Sequence, residues 1–155
     1  MLYLDSSVLV KVYFKEIGTE AVIARANDPN QEVCTSMLTF AEVQSALARR
    51  HRERLLTSRE LARGRELFER DWSILLNVVE LNLQTMAALP NLVEHFRLKA
   101  ADAIHLSTAI WLNGMMQSED SLRLKEVLEF GVADRGLADI ARKCGLRVFN
   151  PEDQD

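Results

Sequence analysis

The sequence is poor in the residues that build soft-metal and disulfide sites. Two cysteines stand in 155 residues, Cys34 and Cys144, isolated and without ligand spacing. The three histidines, His51, His95 and His105, share no ligand spacing either. This argues against a cysteine–histidine zinc site and makes reduced thiols in a cytoplasmic protein the simplest expectation. No apolar run approaches the roughly 20 residues of a membrane span. The start of the chain has neither a charged leader nor a cleavage pattern, so no signal peptide is expected. Repeats, low-complexity tracts and linkers are also missing. One domain covering residues 1–155 is the expectation. There is no excess of positive charge: the net charge is −4, which argues against a simple electrostatic nucleic-acid binder.

What is present is enough apolar mass for a core, 48% against 27% charged. The first apolar run, Met1 to Leu4, does not alternate, as suits a strand buried on both faces, and it stops on Asp5. Further strands are expected at Glu32–Thr35, Asn77–Leu81, Val127–Val132 and Leu146–Phe149. Between them the pattern predicts helices over Ser6–Tyr13, Thr19–Ala26, Ser36–Arg54 and Thr57–Asn77. Another spans Asn82–Phe96, kinked or split at Pro90. An apolar helix then runs over Ala101–Asn113 and ends at Gly114, a polar stretch over 114–126 reads as loop with some helix, and a last helix covers Arg135–Lys143. Strands alternating with helices mean an α/β fold. The expected architecture is three-layer α/β/α with a central, mainly parallel sheet.

In such sheets the carboxyl ends of the strands face the ligand crevice. Asp5 sits at one strand end. Asp134 follows another strand and precedes the apolar row Ala138 and Ala141. Asp102 opens an almost wholly apolar helix, and Glu42 lies on or beside the stripe of Leu38, Val43, Ala46 and Leu47. Each has an ordinary explanation: helix caps for Asp5 and Asp134, a dipole contact for Asp102, a stripe boundary for Glu42. If the four converge, their repulsion calls for a cation. Hard oxygens without a His or Cys cluster favour Mg²⁺ or Mn²⁺. Residues 49–70 hold eight arginines against four glutamates, beside an acidic remainder. That stretch is either a solvated helix laced with ion pairs or a guide for phosphates, with Arg49, Arg50, Arg52 and Arg54 as candidates. His105 lies three residues past Asp102, so it either packs as a hydrogen-bonded core histidine or orients that acid. Trp72 and Trp111, in apolar contexts, read as core or interface.

Four segments taken together resemble a PIN domain. Leu4-Asp5-Ser6-Ser7-Val8-Leu9-Val10-Lys11 resembles its opening. Thr35 to Val43, around Glu42, resembles its second acidic motif. Leu98 to Ala109, with Asp102 in Ala101-Asp102-Ala103-Ile104-His105, is similar to the third and is the most specific. Val132 to Leu137, with Asp134, then Ala141, Gly145-Leu146 and Asn150-Pro151, resembles the C-terminal end. The length resembles the VapC-type toxins of toxin–antitoxin pairs. Two departures stand out: Val132 occupies a place where the family often has Thr or Ser, and residues 114–126 are longer than the usual link.

The resemblance implies an Mg²⁺-dependent endoribonuclease, with Mn²⁺ as a substitute. It implies Asp5, Glu42, Asp102 and Asp134 as the catalytic acids, with Asp5 and Asp102 as direct metal ligands and Ser7 as support. It also implies an RNA substrate, a small antitoxin partner and a homodimer; Val8, Leu9, Val12, Tyr13 and Phe14 fit an interface or a core. Competing classes are less well matched. A receiver domain wants an acidic neighbour beside Asp5, and a HAD-type phosphatase wants Asp where Ser7 stands. A DNA-directed or RNA-processing nuclease of related fold, or a non-catalytic PIN scaffold, stays open to test.

Overall fold

A computed structural model describes residues 1–118 and 127–153. Five parallel strands, β1 (Leu2–Leu4), β2 (Val33–Ser36), β3 (Asn77–Val79), β4 (Glu129–Gly131) and β5 (Arg147–Phe149), form one sheet in the order β3-β2-β1-β4-β5. The first strand of the chain is thus the central strand of the sheet. Its alternation separates two cores. Leu2 and Leu4 face one layer and Tyr3 the other, and all three are fully buried. Each such side chain contributes about 1.5–3 kcal/mol through burial.

The Leu2/Leu4 layer contains α1 (Ser6–Leu9), α2 (Thr19–Ala26), α3 (Leu38–Arg52) and α4 (Ser58–Ile74). The Tyr3 layer contains α5 (Leu89–His95), α6 (Ala100–Ser118) and α7 (Arg135–Lys143). Helices on both faces of an all-parallel sheet agree with the architecture read from the sequence. The pattern also finds most helix starts: Thr57 and Glu60 close a reciprocal capping box on α4, and Asp5 and Asp134 cap α1 and α7.

Three expectations are corrected. The first helix is only four residues long and tightens into a 3₁₀ turn at Val10–Val12. Residues 83–88 form turns, and helix begins only at Leu89, with Pro90 in its first turn where a missing N–H costs no bond. Gly114 does not end α6, which continues to Ser118. The Met115-Met116-Gln117 stretch favours helix enough to offset one glycine, worth about 1 kcal/mol. The remainder of the expected 114–126 loop lies outside the described residues.

Val8 and Leu9 are core residues, and Val12, Tyr13 and Phe14 pack against the same core. Tyr13 and Phe40 join Phe68 and Trp72 in an aromatic cluster with ring centroids 5.1–5.6 Å apart. Trp72 therefore packs against the core, in keeping with its apolar context.

The chain end returns to the first helix. The Lys11 ammonium, 3% exposed, donates to the Ile17 carbonyl at 2.9 Å and to Glu152 at 2.7 Å. Asn150 donates to the Ala133 carbonyl and accepts from the Glu152 amide. At the centre, β1 and β4 approach closely because residue 131 is glycine: a Cβ there would lie 2.5 Å from Leu4 Cδ2 and 3.3 Å from the Tyr3 carbonyl. Gly131→Ala should destabilise the protein by about 1–3 kcal/mol in urea denaturation, because buried Leu4 has no room to move aside.

Candidate active site

The sheet order places the reversal of strand winding beside β1. The open crevice of a doubly wound sheet lies at such a point, outside the carboxyl ends of the strands. Asp5 follows β1 directly and Asp134 follows β4 by three residues, so both stand at this crevice. The Asp5 amide donates to the Gly131 carbonyl at 3.0 Å, which ties the two strand ends together.

Asp5 is 4% exposed. Its Oδ1 accepts from the Ser7 hydroxyl at 2.6 Å and from the Val8 amide at 3.1 Å. The cap expected for α1 is therefore real, and both its bonds fall on one oxygen. Burial pushes the Asp5 carboxyl up to about 6, with Glu42 adding, against the opposing pull of His105, Ser7 and Val8. The Ser7 hydroxyl also accepts from the Ala133 amide at 3.1 Å, so it links Asp5 to the segment that carries Asp134.

Asp102 lies in the first turn of α6, half-buried. Burial raises its carboxyl above the usual range. Asp134 and Glu42 raise it further, while Lys99 and His105 oppose. Asp134 is exposed, and its Oδ1 caps α7 by accepting from the Leu137 amide at 2.8 Å. Glu42 lies in the second turn of α3 with its side chain 26% exposed. Burial alone would raise this carboxyl, but the His105 ring and the Ser6 hydroxyl outweigh it and hold Glu42 below the usual range. The acids are coupled in part: Glu42 is felt by both Asp5 and Asp102, and Asp134 by Asp102. Among the described residues no three Asp, Glu, His or Cys side chains form a closed chelating group. Carboxylates around an open crevice suit a hydrated hard cation, which needs only one or two of them as direct ligands.

His105 is a buried, hydrogen-bonded histidine, as its context suggested. The acid it holds is Glu42, at 2.7 Å from Nε2. From Glu42 a groove of about 550 Å³ runs past Ser6, Ser7, Ser45 and Arg49 to Lys11 and Glu152. Of the four candidate arginines, Arg49 and Arg50 line this groove. Arg50 is held by Glu16 in two bonds of 2.8 and 2.9 Å and stacks 4.9 Å over Phe14, while Arg49 is exposed. Arg52 and Arg54 are exposed and lie outside the groove lining.

Several residues of the site went unnoticed in the sequence. Ser6 reads as a helix residue yet lies against Glu42. Thr35 donates to the Leu4 carbonyl at 2.7 Å and pairs with Thr39 at 2.6 Å, which stitches β1, β2 and the start of α3 below Glu42. The Tyr3 hydroxyl bonds His105 Nδ1 at 2.9 Å. A tyrosine in a strand buried on both faces was the available signal, because its hydroxyl must find a partner.

The PIN domain family model matches residues 2–127, a span that holds Asp5, Glu42 and Asp102 and stops short of Asp134. Ribonuclease VapC49 of Mycobacterium tuberculosis is 32% identical over 110 residues, covering 71% of this chain and 75% of the relative. The structure of FitAB bound to an IR36 DNA fragment matches with a TM-score of 0.68 at 19% identity, over 100% of this chain and 98% of that one. VapBC2 from Rickettsia felis, bound to a fragment of its promoter, matches with a TM-score of 0.63 at 13% identity, over 97% and 98%. These structures share the fold; the family model and the relative carry the kinship. The chain belongs to the PIN domain family.

Proposed function

We propose that this protein is a metal-dependent endoribonuclease that hydrolyses RNA phosphodiester bonds, as the toxin of a type II toxin–antitoxin pair. We take residues 1–155 as its single domain. The observation that carries the reading is the pair Asp5 and Asp102. Asp5 stands at the switch point of the sheet and Asp102 in the first turn of α6; both carboxyls are raised by burial and by the neighbouring Glu42, in a chain 32% identical to a ribonuclease. Acids in that state call for a cation, and their hard oxygens suit Mg²⁺, with Mn²⁺ as a substitute.

Asp5 and Asp102 would hold the ion, and Ser7 keeps Asp5 in place. A bound divalent cation there supplies charge neutralisation at the phosphate and a lowered pKa for the attacking water. Glu42, held ionised with Oε2 fixed by His105 and lining the groove, would serve as a proton acceptor through its other oxygen. Asp134, exposed at the α7 cap, adds negative charge felt by Asp102. Arg49 is the best-placed guide for the RNA backbone. Arg50 comes second because Glu16 already holds it, and Arg52 and Arg54 would act only on a longer strand.

A small antitoxin is the expected partner, since one structure of this fold, from Klebsiella pneumoniae, is a toxin–antitoxin complex. A homodimer rests on kinship, because the early apolar residues are taken up by the core. Among the described residues no helix is long and apolar enough to cross a membrane.

Asp5→Asn and Asp102→Asn should each lower the cleavage rate on RNA at least about 100-fold while leaving the fold intact. EDTA should do the same to the wild type, and Mg²⁺ should restore it. Full RNase activity in Asp102→Asn, or equal cleavage of DNA, would contradict the assignment. Arg49→Glu should raise KM for RNA and flatten its salt dependence with kcat nearly unchanged.

Without a cation the acids also weaken the fold. Asp5 titrates at about 6 in the folded protein against 3.8 ordinarily, so the folded state binds the extra proton between those values. Stability is therefore lost as pH rises through that window. In EDTA, Asp5→Asn should be close to wild type in stability near pH 4 and more stable above pH 6. A gap that shrinks with rising pH would show the opposite sign.

A further inference from the structure

We propose that His105 is a positioning residue, locked between Tyr3 and Glu42 so that it fixes the orientation of the Glu42 carboxylate toward the crevice. The inference rests on the nuclease reading and gives one acid of that site its support.

The two helices involved belong to different layers: α3, with Glu42, packs on the Leu2/Leu4 face, and α6, with His105, on the Tyr3 face. The imidazole bridges them beside the carboxyl end of β1. Its Nε2 lies 2.7 Å from Glu42 Oε2, the length of a charge-assisted bond. An ionised carboxylate only accepts, so Nε2 must carry a hydrogen. The other nitrogen, Nδ1, lies 2.9 Å from the hydroxyl of Tyr3, a residue with no exposed surface. With the ring neutral, Nδ1 accepts the tyrosine O–H. The hydroxyls of Thr108 and Ser36 also act on that oxygen and favour its charge. Both ring nitrogens are engaged, and the ring is 2% exposed and packs edge-on to Tyr3 with centroids 6.0 Å apart. A flip of the ring would lose both bonds.

A core histidine that merely satisfies itself needs no such partner. Glu42 is a quarter exposed and has water available, and a free glutamate side chain keeps up to about 1.5–2 kcal/mol of rotamer entropy. The pair orders it in advance. What the arrangement secures is a single direction for the oxygen that faces the crevice, and a displacement of about 1 Å there can cost up to 100-fold in rate.

The test is a kinetic cycle on wild-type, His105→Leu, His105→Gln, Glu42→Gln and the His105→Leu/Glu42→Gln double variant, all assayed for RNA cleavage with Mg²⁺. His105→Leu should lower kcat at least about tenfold with KM for RNA within about twofold, because Glu42 keeps its charge but loses its direction. The amide nitrogen of His105→Gln can take the place of Nε2 and should recover most of kcat. In the Glu42→Gln background, His105→Leu should cost little more, since its effect passes through Glu42. Fully additive losses, or loss of KM alone, would overturn the proposal.

If His105→Leu fails to fold, the comparison of His105→Gln with Tyr3→Phe replaces it, with Tyr3→Phe expected to lose kcat and His105→Gln to keep it. A second readout does not depend on activity. Nitrogen-15 NMR of histidine-labelled protein should show hydrogen on His105 Nε2; a ring with hydrogen on Nδ1 alone would overturn the proposal. A wild type that cleaves no RNA would defeat the nuclease reading and leave the NMR result interpretable.

Discussion

The structure depends on holding a carboxylate at the end of a strand buried on both faces. Asp5 ends the central strand, and its burial raises the energy of its charged form. The neighbouring groups follow from that. Ser7, the Val8 amide and His105 favour its charge, while Glu42 opposes it. Those supports do not return Asp5 to an ordinary carboxylate, and the same imbalance marks Asp102. A fold selected only for stability gains nothing from such a cluster, which makes the strained electrostatics the physical argument for a cation-dependent function.

Two nearby cations, Lys11 and Arg50, are kept out of this role by their own pairings, while Lys99 favours the charge of Asp102 only in part. Lys11 is buried against Glu152 and the Ile17 carbonyl, and it pins the chain end to the first helix. Arg50 is bound by Glu16 and Phe14. Both line the far part of the groove, so their charge there is already shared with acids. The bland reading of the arginine-rich stretch, a helical surface laced with ion pairs, therefore describes part of it well: Arg63 pairs with Glu66 and Arg70 with Asp71. Arg49 is the exception that faces the groove exposed.

Much of the architecture was legible because the signals were local. Short unalternating apolar runs marked strands buried on both faces, and Arg135–Lys143 was read to the residue because an Asp cap precedes it and a glycine follows its end. Errors fell where local signals compete. Gly114 and Pro90 were read as interruptions, yet one lies inside a helix that continues and the other in the first turn of one that starts. Asp5, Glu42, Asp102 and Asp134 were visible as acids beside apolar faces, and Ser7 as a support through the family resemblance. The link from Tyr3 through His105 to Glu42 was not, because these three are brought together by the packing of two helical layers on one sheet. No periodicity in a single segment encodes that meeting.

In the proposed reading Asp5 and Asp102 share one divalent cation. Crystals soaked in Mn²⁺ and measured for anomalous scattering test it directly. A single strong peak in contact with both carboxylates is expected, lost in Asp5→Asn crystals treated in the same way. No peak at that crevice, or one that survives the substitution unchanged, would contradict it.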